Sequence, residues 1–283
     1  MTKETLSIGL SCGLSLEAFR YPGGGKTPAL CIPGLTRNAR DFEDITGAIT
    51  ETGRDVVAVS LRGRGGSDID PDYLNYHPAT YRDDIIEALD HLGIASAVFI
   101  GTSLGGITAM LVAAAAPDRV AAAVINDVGP ELAPEGIARI VGYAGSARGD
   151  AATLEEAAGQ IRAVNEVAFP NRGAEFWLAF AQRTYKKLPD GRWTLDYDQR
   201  IGKALVEAPP ASDLWSAFAA LKDKPTLIVR GALSDLLSPA IVGKMRAAHP
   251  SFDYCEIAGV GHAPMLTEPE AAAAVAAFLK RID

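Results

Sequence analysis

Gly101-Thr102-Ser103-Leu104-Gly105 stands between an apolar run ending at Ile100 and a helical segment that stops at Pro117. A serine on so sharp a strand-to-helix turn has its hydroxyl lifted clear of the sheet, where it can attack a carbonyl. The free N–H groups and positive dipole end of the helix would favour the oxyanion that develops. Such a nucleophile needs a base and a carboxylate to orient that base. Among four histidines, His262 in Gly259-Val260-Gly261-His262-Ala263-Pro264 follows the strand-like Tyr254 to Ile257 and precedes the last helix. From such a loop an imidazole reaches across neighbouring strand ends and exchanges a proton near neutral pH. His91 and His249 fall at helix ends, and His77 precedes Pro78 in a loop, with a substrate contact left open for it. For the acid, Asp235 follows the run Thr226 to Val229 and takes the chain order Ser, Asp, His, so it is favoured. The alternative acid is Asp127, at the end of the preceding strand, which would otherwise anchor the turn that follows. A second Gly-x-Ser-x-Gly, Gly9 to Gly13, has no helix behind it and reads as structure.

The elements that must position these residues alternate. Ala29 to Ile32, Asp55 to Leu61, Ala97 to Ile100, Val120 to Ile125 and Thr226 to Val229 are short runs apolar at every position. Such runs suit strands covered on both faces, hence a parallel sheet between helices. Leu6 to Leu16 alternates strictly and predicts an N-terminal antiparallel hairpin. Thr80 and Asp83 resemble a capping box for a helix that Gly93 closes, Leu104 to Ala116 forms a second helix, and Pro269 to Leu279 a third. From Val128 to about Asp213 strand signals nearly vanish; Ile137 to Tyr143, Leu154 to Val167 and Ala174 to Tyr185 look helical, and Leu188 to Trp193 is a tight turn. The expected organisation is a core of residues 1–129 and 216–283 with a helical lid, residues 130–215, inserted between late strands.

Composition narrows the function. The 283 residues carry 27 Lys and Arg against 35 Asp and Glu, a net charge of −8, and 48% are hydrophobic. That supports a sizeable core and disfavours nucleic-acid binding. Cys12, Cys31 and Cys255 lack metal or redox spacing and read as reduced thiols, and no basic-then-apolar leader opens the sequence, so a cytoplasmic protein is expected. Ile94 to Pro117 is uncharged over 24 residues, but Gly101, Gly105 and Gly106 interrupt it, so no membrane span is expected. A small-molecule substrate, no metal, and a monomer or homodimer complete the expectation.

With these stretches the sequence resembles the α/β-hydrolases, in particular the lidded serine hydrolases that include carboxylesterases, lactonases and carbon-carbon bond hydrolases. The resemblance covers nearly the whole chain, through Cys31-Ile32-Pro33-Gly34-Leu35, Leu61 to Asp68, the Ser103 turn, Asn126 to Pro130, Gly231 to Asp235, and Gly261 to Pro264 with Glu268-Pro269. It implies an α/β fold with a mostly parallel sheet, Ser103 as nucleophile, His262 as base, Asp235 as acid, the N–H groups of Leu35 and Leu104 as oxyanion hole, and no cofactor. Pro33 stands where the family often has histidine, and Ser60-Leu61 where Asp often precedes Arg-Gly. Serine at the turn argues against dehalogenases and epoxide hydrolases, whose nucleophile is a carboxylate.

The implied activity is ester hydrolysis through an acyl-enzyme. A carbon-carbon bond hydrolase, perhydrolase or lyase on the same triad is the alternative, and a non-catalytic ligand receptor of the same fold a further one. Arg37, Asn38, Trp177, Phe180 and Trp215 are the candidate substrate contacts; aromatic residues at helical spacing also suit a core.

Overall fold

Short β-branched runs become strands here because helices cover both their faces, and the walk along the chain alternates accordingly. The computed structural model describes residues 2–144, 149–208 and 213–283, so residues 145–148 and 209–212 of the expected insertion lie outside the described residues. β1 (Glu4–Gly9) and the long β2 (Ser15–Ile32) form the hairpin, with Leu10, Ser11, Cys12 and Leu14 in its turn. There Ser11 donates through its backbone N–H and hydroxyl to Glu87, a structural role for the second Gly-x-Ser-x-Gly. After α1 (Thr46–Thr50), β3 (Arg54–Val59) runs antiparallel to β2, against which it slips register between Tyr21 and Cys31.

α2 (Pro78–His91) begins two residues before the expected capping box. Pro78 presets the helical φ of the first turn and the His77 ring caps it, Nδ1 accepting from Ala79 N–H at 3.2 Å. Tyr81, Ile85 and Leu89 bury one face of this helix, and Gly93 ends it at φ +66°. β4 (Ala97–Thr102) leads into α3 (Leu104–Ala115), which is buried almost all round. The uncharged stretch is thus a strand followed by a central helix. Among the described residues no helix is long and apolar enough to cross a membrane.

β5 (Val120–Asn126) precedes the excursion. Its described part holds α4 (Pro134–Ala144), α5 (Leu154–Asn165), α6 (Ala174–Thr184), β6 (Tyr185–Lys187), β7 (Trp193–Leu195) and α7 (Arg200–Glu207). β6 and β7 are a two-stranded ribbon around the turn at Leu188 to Arg192, too short for alternation to signal them. α8 (Leu214–Ala219) packs on α3, and β8 (Thr226–Gly231), α9 (Pro239–Ala248), β9 (Asp253–Ile257) and α10 (Pro269–Leu279) finish the chain.

The main sheet runs in the order β1-β2-β4-β5-β8-β9, with β3 also on β2; the pairs from β2 to β9 along this path are parallel. Ser103, Asp127 and the loops after β2, β8 and β9 all lie at the carboxyl ends of these parallel strands, where open α/β sheets place their sites. The excursion is fastened to the core by polar contacts. Arg40 donates to Arg183 O at 2.9 Å and pairs with Asp196 at 2.5 Å, and Asn38 Nδ2 donates to Arg183 O at 2.9 Å.

Candidate active site

The turn at Ser103 is forced by close packing. A Cβ at Gly101 would lie 2.3 Å from Gly105 O, and one at Gly105 only 1.9 Å from Ile32 O, so the backbones of β4, α3 and β2 meet where no side chain fits. Ser103 itself sits at φ +53°, ψ −114°, a conformation that costs a non-glycine residue of order 1–3 kcal/mol. Its N–H donates to Asn126 O at 2.9 Å, and its carbonyl accepts from Gly106 and Ile107 N–H at 2.9 and 3.1 Å. Sheet and helix together hold the strained residue with its hydroxyl presented.

His262 reaches that hydroxyl. Its Nε2 lies 2.9 Å from Ser103 Oγ, and its Nδ1 lies 2.8 Å from Asp127 Oδ2. Asn126 steadies the loop, Nδ2 donating to Pro264 O at 2.8 Å, while Gly261 N–H donates to Ala168 O at 2.6 Å.

The carboxylate on the imidazole is therefore Asp127 and not Asp235, which corrects the expectation from chain order. Thr102 pairs with Asn126 in the sheet register, so the next residue of β5 emerges beside Ser103. Asp127 is fully buried at φ +57°, where Oδ1 accepts Gly231 N–H at 2.8 Å and Oδ2 accepts the Ser234 hydroxyl at 2.7 Å in addition to the imidazole. Three donors satisfy a charge that burial would otherwise penalise heavily. Asp235 turns instead to Arg139 of α4, at 2.5 and 2.8 Å. Partial burial pushes the Asp235 carboxyl up, but the Arg139 hydrogen bonds and charge outweigh it and leave the group below its ordinary value.

Leu35 and Leu104 are brought to the serine. Leu104 is the first residue of α3, so its N–H has no acceptor within the helix. Leu35 follows Gly34, whose Cβ position would lie 3.7 Å from Ser103 Cβ, and it borders the same space as Ser103.

Two cavities meet at Ser103. One, of about 90 Å³, is bordered by His262, Arg37, Asp41 and Asn165 together with apolar side chains, among them Ile161, Val164, Phe169, Phe180 and Met265. The other, of about 280 Å³, is mostly aliphatic, with Leu104, Ile107, Ile137, Leu205 and Leu236 in its wall, and His77 and Tyr81 beside them. Ile140 borders both.

Of the candidate substrate contacts, Arg37 and Phe180 stand in the smaller cavity. Asn38 does not: it is buried, caps the turn at Arg40 through Oδ1 and ties Arg183 O to the core. Trp177 is buried against Phe176 and Phe180 and donates to Arg172 O at 3.2 Å, and Trp215 packs edge-on against Phe218; neither borders either cavity. Helical spacing marks these two as packing residues, and only the direction each helix faces separates them from Phe180.

The sequence reading missed Ser234 and Arg139. Ser234 looked like the neighbour of an acid rather than its hydrogen-bond donor, and Arg139 lies in the amphipathic α4, where a charge signals only a polar face. Among the described residues no group of three or more His, Cys, Asp or Glu could hold a metal ion.

Residues 27–269 match the family model of the alpha/beta hydrolase fold. The chain is similar to a 3-hydroxybutyrate-oligomer hydrolase of Cupriavidus necator, at 32% identity over 91% of this chain and 90% of that one. It is also similar to the esterase YbfF of Escherichia coli, at 30% identity over 76% and 78%. A crystal structure of an alpha/beta hydrolase from Novosphingobium aromaticivorans superposes with a TM-score of 0.92 at 42% identity, over 99% of each chain.

Proposed function

This chain belongs to the α/β-hydrolase fold family, and from that premise we propose that it hydrolyses carboxylic esters through Ser103, His262 and Asp127. The observation that carries the reading is the continuous chain of contacts from Ser103 Oγ to His262 Nε2, 2.9 Å, and from His262 Nδ1 to Asp127 Oδ2, 2.8 Å. Asp127 fixes the tautomer with its proton on Nδ1, so Nε2 is free to accept the serine proton.

Ser103 Oγ then bonds to the ester carbon as its proton passes to Nε2, and the carbonyl electron pair moves to the oxygen. The Leu35 and Leu104 N–H groups donate to that oxyanion. Collapse breaks the bond to the alcohol oxygen, which takes the proton from Nε2, and the acyl group stays on Ser103. Water repeats the sequence: it loses a proton to Nε2, adds to the acyl carbon, and the second collapse returns the proton to Ser103 Oγ and frees the acid. The described part of the excursion between β5 and β8 borders this site through Ile140, Phe169 and Phe180, and this supports reading the insertion as its lid.

A fluorophosphonate probe tests nucleophile, base and oxyanion donors together without a guess at substrate. Wild type is expected to gain one adduct, on the peptide bearing Ser103, and Ser103→Ala none. A folded wild type that gains no adduct overturns the reading and favours a ligand receptor on the same fold. The dimer of 3-hydroxybutyrate, taken from the name of the Cupriavidus relative, is one ester for the substrate panel that follows.

A further inference from the structure

We infer that the aliphatic cavity receives the acyl chain of the ester and the cavity beside Arg37 its alcohol, so that the substrate is an alkanoyl ester of a small, uncharged, hydrogen-bonding alcohol. The inference rests on the acylation of Ser103 proposed above. It follows from which cavity His262 borders.

The tetrahedral carbon on Ser103 carries four groups: Oγ, the oxyanion, the departing oxygen and the acyl carbon. The departing oxygen must lie within hydrogen-bond reach of His262 Nε2 to take its proton. His262 borders the cavity of about 90 Å³ and is absent from the wall of the other. The oxyanion points to the N–H groups of Leu35 and Leu104. The acyl carbon is left with the direction away from the imidazole, into the cavity of about 280 Å³ whose wall contains Leu104 and Ile107.

The linings suit those two occupants. Ile107, Ile137, Leu205 and Leu236 offer an alkyl chain no polar partner, and burial of each CH2 is worth about 0.8 kcal/mol, roughly fourfold in kcat/KM. Ile137 and Leu205 are each 40% exposed, so the wall of this cavity reaches the surface at these two residues. On the other side Arg37 is rigid. Its Nε lies 2.7 Å from Asp41 Oδ2, its Nη2 bonds Asp41 Oδ1, and its guanidinium lies 3.9 Å over the Phe180 ring. Asp41 balances the Arg37 charge and borders the same cavity, so an anionic alcohol meets repulsion as well as attraction there. A hydroxyl or carbonyl takes the hydrogen bond without that cost.

Two ester series separate the cavities. In 2-hydroxyethyl esters from acetyl to octanoyl, kcat/KM is expected to rise about threefold to fourfold per acyl CH2. In acetate esters of alkanols from ethyl to octyl it is expected to stay flat or fall, and 2-hydroxyethyl acetate to exceed propyl acetate about threefold to tenfold. Leu205→Trp, at the mouth of the aliphatic cavity, is expected to shorten the preferred acyl chain and leave the alcohol preference unchanged. A kcat/KM that rises along the alcohol series, or a Leu205→Trp effect confined to the alcohol, overturns the assignment. Preference for the acetyl ester of an anionic hydroxy acid over 2-hydroxyethyl acetate overturns its uncharged alcohol. Fluorophosphonate labelling of the same preparation keeps the two readings apart: labelled Ser103 with reversed gradients refutes only this inference, whereas unlabelled Ser103 refutes the acyl-enzyme beneath it.

Discussion

Replacing Asp127 by asparagine changes one atom, and the surroundings of that atom make the result calculable. Oδ1 of Asp127 accepts Gly231 N–H at 2.8 Å; Oδ2 accepts the Ser234 hydroxyl at 2.7 Å and faces His262 Nδ1 at 2.8 Å. An asparagine has one acceptor oxygen and one NH2. With NH2 toward His262, Nδ1 must become the acceptor, the ring proton moves to Nε2, and Ser103 loses its base. With NH2 toward Gly231, two donors oppose each other and a buried N–H goes unpaired, at about 1–3 kcal/mol. The first arrangement also takes the acceptor from the Ser234 hydroxyl, but a hydroxyl can rotate to another partner whereas the Gly231 N–H cannot, so the wrong tautomer should prevail, and kcat should fall about ten-thousandfold, about 5 kcal/mol in the barrier. Asp235→Asn, at a carboxylate bonded to Arg139 and not to the imidazole, should keep kcat within about threefold. The assay is steady-state hydrolysis of a p-nitrophenyl ester by both variants, with melting temperatures in parallel to show that each is folded. A folded Asp127→Asn within tenfold of wild type, beside an Asp235→Asn reduced a thousandfold or more, would refute the assignment of the acid.

Three further outcomes follow from the same contacts. Ser234→Ala removes a neutral donor from the Asp127 carboxylate, so kcat of the p-nitrophenyl assay should fall about tenfold to a hundredfold while labelling at Ser103 persists; an unchanged kcat counts against Ser234 as a positioning residue. Gly105→Ala sets a Cβ 1.9 Å from Ile32 O, so urea unfolding should show a loss of at least about 3 kcal/mol, and a loss under 1 kcal/mol would contradict the close approach. The Asp235 carboxyl ionises below its ordinary value in the folded protein, so its pair with Arg139 stabilises above the unfolded pKa of about 4 and this contribution fades as pH falls through the folded one. With side chains 28% and 19% exposed the pair is worth at most about 1 kcal/mol, so Asp235→Asn should lower stability slightly at pH 7 and by progressively less as the pH is taken into the acid range; a difference that grows in acid would refute the sign.

What could be read from the residues depended on whether the signal was local. The Ser103 turn announces itself because a strand, two glycines and a helix adjoin in sequence, and His262 because glycines flank it after a strand. The choice between Asp127 and Asp235 is not local. Both follow parallel strands, and the decision lies in the pairing of Thr102 with Asn126, in the Ser234 hydroxyl donating to Asp127, and in Arg139 holding Asp235. Trp177 and Phe180 likewise share one helix and one composition, yet only Phe180 meets a cavity, because the rotation of α6 against the core is set by residues distant in sequence. The ribbon of β6 and β7 was invisible for another reason: three residues per strand is less than two full alternations.

Asp127 is also the residue from which the chain leaves the sheet on its way into the excursion. Its backbone N–H donates to Val229 O at 2.7 Å, and its carboxylate is pinned by Gly231 and Ser234, so β8 grips it from the far side of roughly a hundred intervening residues. The excursion meets the same machinery at two further joints, Gly261 N–H on Ala168 O beside His262 and Arg139 on Asp235 beside Ser234. Its hold on the site is therefore confined to a few defined points. A segment exchanged between β5 and β8, by drift or by grafting, can change the cavity walls and leave the Ser103, His262 and Asp127 contacts as they are only where those joints are kept.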